Sequence, residues 1–115
     1  MTCAQTKPTF PHVFTEGDQL PEIIGVLSET NLTNYVIEFG LERPNDTVLE
    51  KSTETSGVVI LDAANGKFKV TWEKSPTPDL IAGQGQCAQI RFIDTAGRPM
   101  TSRDFLIDVK EYKGS

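Results

Sequence analysis

The chain has 115 residues, a length that supports one hydrophobic core and is too short for two. Its formal net charge of −5 and sequence pI of about 4.8 disfavour phosphate backbones and anionic lipids, so we expect neither nucleic acid nor a membrane as a partner. Hydrophobic residues make up 37% and charged residues 23%, which is typical of a globular protein rather than a disordered one.

Residues 1–8 lack the apolar stretch that secretion signals require, so we do not expect them to be one. As a chain terminus outside the first predicted strand, they are expected to form a flexible arm. No apolar run elsewhere approaches the roughly 20 residues that span a bilayer. We therefore expect the chain to fold in a cytoplasm. Cys3 and Cys87 are expected there as free thiols, since two cysteines do not make a disulfide framework; a disulfide between them is the alternative.

Alternation of apolar and polar residues at period two dominates the sequence and predicts β-strands. The predicted strands, in chain order, span residues 9–14, 22–27, 35–42, 47–52, 57–62, 67–72, 88–93 and 105–110. The clearest are 35–42 and 67–72, and no segment has convincing helical periodicity. Pro11 makes 9–14 an edge strand, because proline cannot donate a backbone hydrogen bond to a ladder.

The connections between these strands have the residues that tight turns require. Asp-Ala-Ala-Asn-Gly at 62–66 predicts a hairpin in which Asn-Gly supplies the positive φ angles, and Asp-Thr-Ala-Gly at 94–97 repeats the arrangement. The long loop at 73–85 is expected to cross between sheets. About seven or eight short strands at this spacing predict an all-β fold, a single immunoglobulin-like antiparallel β-sandwich over residues 9–111 with a short tail at 112–115.

One face of each main strand is predicted to enter a shared core. Ten side chains are assigned to that core: Tyr35, Ile37, Phe39, Phe68, Val70, Trp72, Ile90, Phe92, Phe105 and Ile107. Burial of such side chains is worth roughly 1.5–3 kcal/mol each, which chain entropy largely offsets.

The residue types that run catalysis are scarce. His12 is the only histidine and lies on the predicted edge strand, where an exposed structural role is expected; a pair with Cys87 or Cys3 has no local signature. The carboxylates lack the spacing of a calcium loop, and Gly-Gln-Gly at 83–85 lacks the strand–helix context of a nucleotide site. We therefore predict no catalytic, cofactor-binding or metal-binding residue, and no enzyme.

Several segments follow one another in a recognisable order. Gly-Asp at 17–18 precedes a strand, Leu-Thr at 32–33 precedes the long alternating strand, Ile-Leu-Asp-Ala-Ala-Asn-Gly-Lys-Phe-Lys-Val occupies 60–70, and Asp-Thr-Ala-Gly occupies 94–97 before a closing strand. In this order and turn chemistry, residues 9–111 resemble the N-terminal domain of the phage baseplate upper protein family. The chain departs from the family at 85–88, where Gly-Gln-Cys-Ala stands in place of the usual Tyr-x-Ala.

The resemblance implies a non-enzymatic virion structural or assembly protein that docks on a larger tail-baseplate or capsid assembly through strand edges and loops. It implies other virion structural proteins as partners, a homo-oligomer or multi-copy arrangement, no cofactor, and location in the virion after synthesis in the host cytoplasm. The expected interaction edge is the first predicted strand, because open edges pair with neighbouring chains. Its residues are Thr9, Phe10, His12 and Phe14.

The alternative is a free-standing carbohydrate-binding or adhesion module, since the same fold serves both functions. A sugar site needs exposed aromatic side chains, and most aromatic residues here are assigned to the core. Tyr112 and Phe10 are the best exposed candidates, at opposite ends of the chain.

Overall fold

The computed structural model describes residues 8–73, 78–102 and 104–112, and these residues form an all-β fold without an α-helix. Its strands are β1 (Phe14–Thr15), β2 (Ile23–Val26), β3 (Val36–Glu42), β4 (Val48–Ser52), β5 (Val58–Asp62), β6 (Lys67–Val70), β7 (Gly83–Ile93), β8 (Pro99–Thr101) and β9 (Phe105–Lys110). Most of the predicted arm (1–7) and tail (113–115) lies outside the described residues.

The strands form two sheets. The large sheet has the order β1-β9-β7-β3-β4, with β8 pairing with one end of β7, and the small sheet has the order β2-β6-β5. The strand pairings are antiparallel except for the parallel pairing of β1 with β9. The segment before β1 also runs along β9, since Thr9 forms an isolated parallel bridge with Leu106.

Side chains from both sheets share one core. Of the ten residues predicted to line it, eight are buried, and Tyr35 and Phe105 are half-buried against it, so the predicted core is confirmed. Phe68 of β6 meets Phe92 of β7 edge to face, with 5.4 Å between ring centroids. Phe39 of β3 makes a similar contact with Trp72 at 5.7 Å. Such aromatic pairs add to the burial term and fix how the two sheets face each other.

The turn between β5 and β6 depends on one glycine. A 3₁₀ turn over Ala63–Asn65 leads into Gly66, whose φ of 69° lies in the left-handed region. A Cβ at Gly66 would lie 2.0 Å from the carbonyl oxygen of Leu27, so no larger residue fits. The turn was predicted at this position, but only Gly66 of the Asn-Gly pair has a positive φ.

The strand boundaries differ from the predictions in two places. β1 covers two residues rather than 9–14, because the chain bends at Pro11 and His12 between its two contacts with β9. β7 begins at Gly83, inside the predicted loop 73–85. Its first residues are Gly and Gln and carry no alternating pattern. Gly83 and Gln86 pair with β9, and Gly85 lies in the register irregularity between them with a φ of 66°.

The expectation of free thiols is wrong for Cys87, which is disulfide-bonded. Cys87 lies in β7 between Glu42 of β3 and Leu106 of β9, and its side chain is buried. The other cysteine, Cys3, lies outside the described residues. The expectation failed because a count of cysteines carries no information on which sulfur atoms folding brings together.

Candidate docking face

The outer face of the small sheet carries aliphatic side chains where an alternating strand would place polar ones. Ile24 and Val26 of β2 are 57% and 61% exposed, and Val59 and Leu61 of β5 are each 44% exposed. Exposed aliphatic side chains grouped on one face mark an interaction surface more often than isolated exposed residues do. We call this surface the docking face; it consists of Ile24, Val26, Val59, Leu61, Lys67 and Lys69.

Strand register arranges the docking face in three rows. Ile24 and Val59 both lie opposite Lys69 of the central strand, and Val26 lies opposite Lys67. Two aliphatic rows therefore flank a row of lysines. The lysine stems extend the apolar surface while their ammonium groups stay in water.

The docking face carries both signs of charge, because Asp62 lies opposite Lys67 in register and Glu22 lies beside Lys69. The Nζ atom of Lys69 lies 3.3 Å from the Oε1 atom of Glu22, in a half-exposed ion pair. Lys67 is exposed and forms no ion pair with any residue in the described part of the chain. A partner that offers a carboxylate opposite Lys67 would therefore gain a charge-assisted hydrogen bond.

The outer face of the large sheet has a different character. A groove of about 460 Å³ lies over β3, β4 and β7, and Glu38, Glu50, Gln89 and Arg91 are among the residues that line it. Gly40 lies between Glu50 and Gln89 in the register and leaves open space at its Cβ position. This face is polar and carries both signs of charge.

The end strand β4 of the large sheet contains a buried lysine. Lys51 lies opposite Phe39 in register, on the core side of the sheet, and its Nζ atom is 2.7 Å from the Oδ2 atom of Asp79. Both side chains are less than 10% exposed, and the backbone N–H of Glu73 also donates to Asp79. An inward-pointing charge on an end strand opposes pairing with another chain, because the added strand would disturb it.

The predicted interaction edge is only partly accessible. Phe14 is buried in the core and pairs with Val109, and Thr9 bridges Leu106. His12 is exposed and meets the Phe14 ring edge to face at 5.0 Å, while Phe10 is half-buried and stacks on Phe14. The four residues therefore lie together along β9, at the end of the large sheet.

The other residues singled out in the sequence do not converge. The Cys87 sulfur is held in a disulfide, so it is not a thiol nucleophile for His12. Tyr112 is exposed near the end of the described chain. Among the described residues, no three His, Cys, Asp or Glu side chains gather as a metal site. No described helix is long and apolar enough to cross a lipid bilayer.

The carboxylate of Asp94 accepts hydrogen bonds from the backbone of the turn at 94–97. The backbone N–H of Arg98 donates to the Asp94 carboxylate at 2.9 Å, as does that of Ala96 at 3.0 Å. These hydrogen bonds, with the Arg98 guanidinium, hold the pKa of Asp94 below its ordinary value despite an opposing effect of desolvation. The carboxylate therefore stabilises the turn that joins β7 to β8.

Comparisons with known proteins found no match: no protein-family model, no curated protein and no solved structure is significantly similar to this chain. The functional argument therefore depends on the surfaces described above.

Sequence reasoning missed the docking face, although a signal for it exists. Residues 22–27 and 57–62 read as short apolar runs, which are typical of strands buried on both faces. The strand at 67–70, in contrast, alternates lysine with Phe68 and Val70. A lysine row on one strand shows that this face reaches water, so the apolar residues beside it must be exposed.

Proposed function

We propose that this chain is a non-enzymatic structural domain of a phage virion that docks on a larger tail-baseplate or capsid assembly. The domain has an immunoglobulin-like sandwich fold, the docking face makes the contact, and the partner is another virion structural protein. The single observation that carries the proposal is the exposed aliphatic–lysine–aliphatic surface of the small sheet.

Strand order supports the immunoglobulin-like part of the proposal. That fold places strands A, B, E and D in one sheet and strands G, F, C and C′ in the other. β2, β6 and β5 take the places of B, E and D, and β9, β7, β3 and β4 take those of G, F, C and C′. β1 differs from strand A of that arrangement, because it pairs with β9 in the large sheet.

The chemistry of the docking face indicates what the partner offers. Four aliphatic side chains, two of them more than half exposed, gain free energy of roughly 25 cal/mol per Å² when another apolar surface covers them. Lys67 lies opposite Asp62 but forms no ion pair with it, so its ammonium group can also accept a carboxylate of the partner as a neighbour. A protein surface with apolar residues around an acidic side chain matches both features, as interface cores with polar rims do.

The location in a virion is supported by the resemblance of residues 9–111 to the phage baseplate upper protein family. A domain that repeats in a particle needs a rigid fold and a surface that binds its neighbour. The polar outer face of the large sheet and the aliphatic outer face of the small sheet are consistent with one binding surface per domain. Multi-copy assembly also raises the local concentration of each contact, so a small docking surface suffices.

The proposal is tested by particle composition and by complementation. Mass spectrometry of particles purified from the strain that carries the gene should detect the chain in a fixed ratio to the main structural proteins. In complementation, Leu61→Lys should lower its incorporation at least tenfold, because a third lysine enters the docking face. Val48→Lys, at an exposed valine on the large sheet, should incorporate normally.

Absence of the chain from purified particles would overturn the proposal. Equal incorporation of Leu61→Lys and Val48→Lys would exclude the docking face as the contact. Binding of the isolated domain to glycans on an array would instead favour the carbohydrate-binding alternative.

A further inference from the structure

We infer that two copies of this chain pair through strand β2, antiparallel and about a two-fold axis at Gly25, and so join their small sheets into one sheet of six strands. This inference rests on the proposed multi-copy function, to which it adds a specific contact between copies. It is argued from the hydrogen-bond direction, the sequence and the surroundings of β2.

Within residues 8–73, 78–102 and 104–112, no strand pairs with the outer edge of β2. β2 is an end strand of the small sheet, and the N–H of Leu27 donates to the carbonyl of Gly66 at the end of β6. Antiparallel strands alternate their hydrogen-bonded residues, so Ile23, Gly25 and Leu27 turn toward β6. Ile24 and Val26 therefore direct their N–H and C=O groups to the open edge.

The open edge of β2 lacks the features that protect other end strands. β4 has the inward-pointing Lys51, and β5 has a register irregularity between Ile60 and Asp62. β2 has the sequence Ile-Ile-Gly-Val, with no charge, no proline and a regular register along β6. An unprotected edge of this kind is a template for strand addition.

The sequence of β2 and its flanks is self-complementary when reversed. With Gly25 on the axis, Ile24 of one copy lies opposite Val26 of the second, and the two residues exchange both backbone hydrogen bonds. Glu22 lies opposite Ser28, so no like charges meet. The same operation on β4 would place Glu50 on the axis against its own copy, which like-charge repulsion opposes.

Gly25 fits the position on the axis. Its N–H turns toward β6, so two copies of Gly25 form a non-hydrogen-bonded pair, in which the Cα atoms approach to about 4.5 Å. The Phe68 ring lies against Gly25, and a Cβ there would be 2.4 Å from it. The ring therefore covers the core side of the junction while the outer side stays free for Ile24 and Val26.

The pairing would enlarge the docking face. Ile24 and Val26 from both copies would form a central stripe of four aliphatic side chains, with the Lys67 and Lys69 row of each copy on either side. A larger apolar surface with a defined two-fold symmetry binds a symmetric or repeated partner better than either half alone.

The test combines association with a charge exchange across the axis. The full chain should sediment as a concentration-dependent dimer of twice 12.7 kDa. Ile24→Lys and Val26→Glu should each weaken dimerisation about tenfold, because each replaces the two aliphatic Ile24–Val26 cross-strand pairs of the dimer by pairs of a charged and an aliphatic side chain and brings two like charges close to the axis. The double variant should recover most of that loss, since each introduced lysine then faces a glutamate of the other copy. Val48→Lys is the control for added charge and should dimerise normally.

Hydrogen exchange gives a second readout that does not depend on variants. The amides of Ile24 and Val26 should exchange slowly at high concentration and fast on dilution, while that of Leu27 stays protected throughout. A monomer with unprotected Ile24 and Val26 amides at all concentrations overturns the inference, and so does a dimer that Ile24→Lys leaves intact. A monomer that is still incorporated into particles would leave the proposed function standing, whereas a β2-paired dimer absent from particles would contradict the proposed function alone.

Discussion

The two sheets differ in the side chains on their outer faces and in the protection of their end strands. The large sheet presents Glu38, Gln89 and Arg91 to solvent and protects its end strand with the buried Lys51–Asp79 pair. The small sheet presents aliphatic side chains and leaves β2 open. One core holds both, so the difference is not a matter of stability. We therefore expect a partner to bind at the small sheet rather than at the large one.

The strongest test of this contrast removes one member of each sheet's ion pair. Asp79→Ala should lower the free energy of unfolding by about 3–5 kcal/mol, because it leaves the Lys51 ammonium buried without a partner. Glu22→Ala, which removes the half-exposed partner of Lys69, should change it by less than about 1 kcal/mol. Urea unfolding of both variants measures the difference. Equal losses would mean that Lys51 reaches water once Asp79 is gone.

A second test concerns the disulfide bond of Cys87, which lies in the large sheet. Reduction should lower the free energy of unfolding by about 2–4 kcal/mol, since it releases a constraint on the unfolded chain. Thermal unfolding with and without reductant measures this loss. In Cys87→Ser, reductant should have no further effect; a remaining dependence on reductant would contradict the assignment of the bond.

Two strand glycines provide a matched comparison of the sheets. Gly25→Ala in β2 should cost about 1–3 kcal/mol, because the added methyl group collides with the Phe68 ring. Gly40→Ala in β3 should be neutral or stabilising by up to about 1 kcal/mol, because its Cβ enters open space. Denaturant midpoints at equal protein concentration measure both effects. A stabilising Gly25→Ala would show that Phe68 can move aside.

The smallest effect is expected at the turns, where each sheet has an aspartate. Asp94→Asn should destabilise the domain more than Asp62→Asn, since Asp94 accepts two backbone N–H groups and Asp62 is bonded only by the Asn65 side chain. The Asp94 pKa is lowered, so its contribution is present above the ordinary aspartate pKa and is lost as the pH falls through the lowered value.

An NMR titration of the Asp94 carboxyl group should give a midpoint below the ordinary value in the native protein. The midpoint should move upward in a variant that lacks the Arg98 guanidinium, although the backbone N–H of Arg98 makes the larger contribution to the shift and is kept. An unshifted midpoint in the native protein would show that the turn opens in solution.

Alternation allowed most of the fold to be predicted, because one-sided burial leaves a period of two in the sequence. The strand at Val36–Glu42 and the core around Phe39 and Phe68 follow from that pattern. The extension of β7 back to Gly83 did not, since pairing with β9 and not side-chain pattern holds it. The docking face was missed because Ile24 and Val26 look like core residues until the neighbouring lysine row is known.

The parallel pairing of β1 with β9 has a mechanical consequence. Pro8 accepts a hydrogen bond from Leu106, and Glu16 donates one to Lys110, so the first described segment runs alongside the last in the same direction. A pulling force applied at Pro8 and at Tyr112 would therefore act along the two strands and across these bonds, and it would load them together in shear rather than open them one at a time. Because these bonds must break together, the described domain should resist mechanical unfolding when it is pulled at both ends.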